Sequence, residues 1–178
     1  MGQWDRAEVE VVADGRFFRY TSKQGALRDK SLLSVDRNSL IGTWRLKSYV
    51  VTKATGERMV PYGESPTGYL TYSTDGRMQV IGVASDRRAP ASSSPSDERA
   101  MLYDTMFAYA GNFSVEGSKV IHHVDISWNE TWTGTDQIRA FELSGNTLVI
   151  NTSIPDPVSG AEDHYAVSWE KVVGPATI

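Results

Sequence analysis

The chain has 178 residues, 40% hydrophobic and 22% charged, which is enough for one packed domain and too few for two of ordinary size. A formal net charge of −4 argues against the basic stripe of a nucleic-acid binder, and no apolar run approaches the roughly 18 residues that a membrane-spanning helix needs. With no cysteine, disulfides, thiolate metal sites and cysteine nucleophiles are excluded too.

Residues 1–39 read as an N-terminal extension. Glu8–Val11 and Phe17–Tyr20 flank Ala13-Asp14-Gly15 and predict a hairpin, and the polar residues 22–39 predict a tether. A lone two-stranded hairpin is marginally stable, so this one is expected to dock on the main domain or to join two copies as a homodimer. The start, MGQWDRAEVE, has neither a basic cluster nor an apolar stretch; no secretory signal is expected, and the expected location is cytoplasmic.

From residue 40 to 173, short alternating segments rich in Val, Ile, Thr, Tyr, Phe and Trp are separated by turn dipeptides such as Asp75-Gly76, Glu116-Gly117 and Ser144-Gly145. They predict strands near 41–53, 68–74, 77–83, 111–116, 119–128, 135–143, 147–154 and 163–172. Eight strands joined by short turns predict an all-β antiparallel meander that removes its edges by closing into a barrel. One segment differs: Ser94-Pro95-Ser96-Asp97-Glu98 reads as a helix start, with Leu102, Met106 and Tyr109 on one face and Gly111 as the stop. This helix is expected either to cover one barrel end or to pack on the outer wall. Residues 174–178 are a tail.

Gly42-x-Trp44 in the first barrel strand is followed in order by Pro61-Tyr62-Gly63, Gly68-Tyr69-Leu70-Thr71-Tyr72, Thr74-Asp75-Gly76, Tyr109-Ala110-Gly111, His122-His123-Val124, Trp132-Thr133-Gly134-Thr135-Asp136-Gln137 and Trp169-Glu170-Lys171. Together these resemble the lipocalin-like domain family of the calycin group, over about Leu40 to Val172. The resemblance implies an eight-stranded calycin-type barrel for hydrophobic small molecules, with some relatives acting as isomerases or cyclases on natural products. It also implies that Trp44 closes one barrel end beneath a basic residue of the last strand, here Lys171 where arginine is usual.

Alternation assigns the faces of each strand. Trp44, Leu46, Ser48 and Val50 are expected inward, as are Val120, His122, Val124, Ile126 and Trp128. Gln137, Arg139, Phe141 and Leu143 follow, then Leu148, Ile150, Thr152 and Ile154, and finally Tyr165, Val167, Trp169 and Lys171. The lumen is therefore apolar, with a few polar groups to orient a ligand; the alternative is a small barrel filled by its own side chains. Expected ligand contacts are Ser48, Tyr72, Trp128, Trp132, Gln137, Phe141 and Thr152. The two tryptophans stand at the mouth, facing Tyr103, Phe107 and Tyr109 of the helix, a setting suited to a flat or polycyclic ligand.

A guanidinium facing such a lumen is costly without an acid, a hydrogen-bonding network or an anionic ligand. Arg139 is thus a candidate to stabilise developing negative charge, with His122 or Tyr165 moving a proton. The bland alternative is a satisfied core histidine beside an arginine that ties strands together. His122 and His123 point to opposite faces and His164 falls outside, so no metal site is expected. His123, Asp125 and Ser127 read as a solvated outer face rather than a triad, and no motif supports a nucleotide or other cofactor. The function expected is binding of a hydrophobic small molecule with cofactor-independent cyclisation or isomerisation; the alternatives are a non-catalytic intracellular carrier and an interaction module built on the N-terminal hairpin.

Overall fold

The computed structural model describes residues 36–90, 96–155 and 160–174, so the predicted N-terminal hairpin, most of its tether and the tail lie outside the described residues. The described part opens with α1 (Arg37–Leu40), where the sequence predicts the end of a tether. Asp36 caps α1 by accepting from the Asn38 N–H at 3.0 Å, and Leu40 is fully buried. The strands are β1 (Gly42–Thr52), β2 (Arg58–Met59), β3 (Thr67–Tyr72), β4 (Arg77–Val83), β5 (Met106–Glu116), β6 (Lys119–Ser127), β7 (Asp136–Ser144), β8 (Thr147–Pro155) and β9 (Glu162–Lys171), with α2 (Ser96–Asp104) between β4 and β5.

Strands β3 to β9 pair antiparallel in chain order, and β1 pairs with both β3 and β9, closing an eight-stranded barrel; β2 adds two residues beside β1. The family-specific end is built as the resemblance implies. Lys171 Nζ stands 5.0 Å from the Trp44 ring centre, and the Trp44 indole N–H donates to the Leu40 carbonyl at 2.8 Å. The tight hairpins follow from glycine: Gly117 (φ 60°) and Gly145 (φ 57°) occupy the left-handed region in the two-residue loops after β5 and β7.

Three expectations fail for local reasons. First, α2 ends at Asp104 rather than near Ala110. Residues 106–110 pair with β4 instead, where Phe107 fills the space over Gly82 and Tyr109 stands opposite Val80. Gly111 is no helix stop; it lies within β5 so close to the His123 carbonyl that a Cβ would collide with it. Second, β1 carries a bulge between Leu46 and Ser48, so Lys47 has no register partner in the β9 ladder. Beyond it the alternation inverts: Tyr49 and Val51 turn inward, and Ser48 and Val50 do not. Third, the pairing of β6 with β5 skips Asp125, which turns Ile126 outward to 64% exposure. Among the described residues no helix is long and apolar enough to cross a membrane.

Candidate functional site

Inside the barrel is a cavity of about 250 Å³, so the barrel is not filled by its own side chains. Its walls are largely aromatic. Tyr49, Tyr62, Phe107 and Tyr165 make one cluster, with Tyr49 4.7 Å from Tyr62 and 6.4 Å from Tyr165, and Phe107 5.3 Å from Tyr62. Trp132 makes the other, 5.6 Å from Tyr109 and 5.1 Å from Trp128 by ring centres. Ile150, Ile154, Val167 and Trp169 add apolar wall. α2 is joined to the rim through the Tyr103 hydroxyl, which donates to the Trp128 carbonyl at 2.7 Å.

Of the predicted site residues, His122, Arg139, Tyr165, Trp128, Trp132 and Thr152 line the cavity together. The other four do not. Ser48 is turned away by the β1 bulge, and Phe141 is packed core. Gln137 stands beside the cavity, its Oε1 accepting from the Arg139 guanidinium at 2.7 Å and its Nε2 donating to Thr135 Oγ1 at 2.8 Å. Tyr72 is buried behind His122. Sequence reasoning missed Tyr49 and Tyr62 as wall residues, and it set Phe107 and Tyr109 at the mouth on the helix, whereas both line the cavity from β5. The adjacent pair Val50-Val51 is the one sequence trace of the β1 bulge, since strict alternation does not place two apolar residues side by side. The alternation Phe107, Tyr109, Gly111, Phe113 carries the signal for β5, masked by the helix-like Ala and Met residues around it.

The polar heart of the site is a chain of three side chains from three strands. Tyr72 on β3 meets His122 Nε2 at 2.8 Å, and Tyr109 on β5 meets His122 Nδ1 at 2.9 Å. His122 is 1% exposed, and burial, followed by the charge of Arg139 and Coulombic interaction with His123, lowers its pKa to about 3. It is therefore neutral at ordinary pH. Burial pushes Tyr109 up to about 12 against the pull of Arg139, and pushes Tyr49 and Tyr72 well above the ordinary tyrosine range. Arg139 donates to the Ile138 carbonyl at 3.0 Å and to Gln137, and no carboxylate among the described residues pairs with it.

A different serine, histidine and aspartate meet on the outer face. Ser114 Oγ lies 3.0 Å from His123 Nε2, and His123 Nδ1 lies 2.7 Å from Asp136, while Asp125 pairs with Arg77. All three sit on neighbouring paired strands whose backbone N–H groups serve the ladder, and none lines the cavity. Among the described residues the ladder pairing leaves these strands no free N–H pair of the kind an acyl-transfer oxyanion requires. Among the described residues no three His, Asp or Glu side chains are placed to hold a metal ion.

Residues 41–172 match the model of a family described as the lipocalin-like domain. The chain is also 33% identical over 88 residues to the 4'-hydroxy-3'-methoxypropiophenone carrier protein ppsC of Aspergillus oryzae, a match covering 45% of this chain and 79% of that protein. No solved structure matches the chain significantly.

Proposed function

The chain belongs to the lipocalin-like domain family, and from that premise we propose that it is a carrier for a compact aromatic molecule held in the barrel cavity, with phenolic aryl ketones as the leading class. The observation that carries this reading is a cavity walled by aromatic and aliphatic side chains with one cation, Arg139, among them. Its volume of about 250 Å³ falls just below the roughly 300–1,000 Å³ usual for small-molecule pockets, which favours a single substituted ring over a polycycle. The name of the Aspergillus oryzae relative supports both the ligand class and a carrier role.

A second reading, cofactor-independent isomerisation or cyclisation, is favoured by Arg139, whose charge beside Tyr165 and Tyr109 suits an enolate. His122 weighs against it. Both its nitrogens are engaged and its pKa lies near 3, so it is a poor proton shuttle at neutral pH.

Calorimetric titration with 4'-hydroxy-3'-methoxypropiophenone tests the reading, with chromatography of the mixture after prolonged incubation. One-to-one binding with the ketone recovered intact is the expected result. A converted product favours the enzyme reading. No heat of binding, with no small molecule carried through purification in native mass spectrometry, overturns both.

A further inference from the structure

Hydrogen-bond satisfaction fixes the direction of the Tyr72–His122–Tyr109 chain. A neutral imidazole has one N–H donor and one acceptor nitrogen, and each tyrosine hydroxyl has a single donor proton. Tyr72 is 1% exposed and its hydroxyl has no partner but His122 among the described residues, so its proton must go to Nε2. The imidazole proton then sits on Nδ1 and donates to the Tyr109 oxygen. That leaves the Tyr109 O–H free on the cavity wall. The opposite tautomer strands the Tyr72 proton without an acceptor in a dry core.

A second donor is found independently. Trp169 is 2% exposed and lines the cavity, and its Nε1–H is a buried side-chain donor without a partner among the described residues. Arg139 adds a third set: two of its five N–H groups are engaged by protein acceptors. No Asp, Glu, Asn or Gln side chain lines the cavity to receive any of these protons.

We propose that the cavity selects ligands bearing hydrogen-bond-accepting oxygens, carbonyl or phenolate, with the Tyr109 O–H and Arg139 meeting one acceptor and the Trp169 N–H meeting another. The inference rests on the carrier reading and deepens it by naming the residues that discriminate. An apolar ligand of the same shape leaves these buried donors unsatisfied, which is how a binding site rejects a molecule that merely fits.

The test is competitive calorimetry with propiophenone and propylbenzene, which differ at a single carbon by a carbonyl oxygen against two hydrogens, on the full chain and on Tyr109→Phe. The wild type is expected to bind the ketone at least as tightly as the more hydrophobic hydrocarbon, and Tyr109→Phe to shift that ratio roughly tenfold toward the hydrocarbon. Because substitutions disturb packing, the wild type supplies a second readout: the Trp169 indole N–H resonance moves with 4'-hydroxy-3'-methoxypropiophenone, which carries acceptor oxygens besides the carbonyl, and stays with the hydrocarbon. Both ligands binding, with the hydrocarbon favoured and the ratio unmoved by Tyr109→Phe, overturns the donor inference and leaves the cavity reading intact. Neither binding overturns the cavity reading, and the donor inference with it.

Discussion

The two ends of the barrel are built from the same strands toward opposite purposes. At the Trp44 end the polar groups serve structure: the indole N–H meets the Leu40 carbonyl, and the Lys171 charge meets the Trp44 ring and, at 3.5 Å, the Ser39 carbonyl. Around the cavity the polar groups include tyrosines, His122, Thr152 and, among the described residues, an arginine without a carboxylate partner and a tryptophan N–H without an acceptor. β1 serves both ends, and the bulge at Lys47 is where it changes over, inward Trp44 and Leu46 giving way to inward Tyr49 and Val51. One end is closed by packing, and the other keeps donors, the Trp169 N–H above all, that no acceptor among the described residues meets.

Substitutions should therefore separate stability from binding along the barrel. Trp44→Ala is expected to cost about 3–5 kcal/mol, lowering the melting temperature by roughly 6–20 °C in thermal unfolding. An equal loss from Arg139→Met would break the contrast between the ends. Tyr72→Phe is expected to cost about 1–3 kcal/mol in denaturant titration, because His122 Nε2 then stays buried without a donor.

The same histidine sets a pH dependence. Its folded pKa of about 3 lies below the ordinary 6.5, so between these values the unfolded chain binds the additional proton. Its contribution to stability is complete above about pH 6.5 and is lost as pH falls toward 3, with a slope of up to about 1.4 kcal/mol per pH unit. Chemical denaturation at successive pH values checks this, and His122→Gln is expected to flatten the slope. The smallest stability effect belongs to Arg139→Met, within about 0.5 kcal/mol by melting, while affinity for an aryl ketone falls about tenfold. That variant sharpens the comparison most, since binding moves and stability does not.

The barrel was legible in the sequence because glycine turns and period-two alternation are local signals. His122, Arg139, Thr152 and Tyr165 were placed on the inner face because no bulge intervenes before them in their strands. Tyr49 and Ile126 were misplaced because one inserted residue reverses all later side chains, and a bulge leaves little trace in composition. The end of α2 is hidden in the sequence because Met106 to Ala110 suits a helix by propensity, and pairing with β4 overrides it. Tyr62 lies in a loop, where alternation says nothing.

The most direct test of the account is to fill the cavity. Ile150→Trp projects an indole into the space that the aromatic walls enclose, so the variant should keep its barrel signature in circular dichroism and lose calorimetric binding of 4'-hydroxy-3'-methoxypropiophenone. A folded Ile150→Trp protein that binds the ketone as tightly as the wild type would contradict the claim that the barrel interior is where the ligand resides.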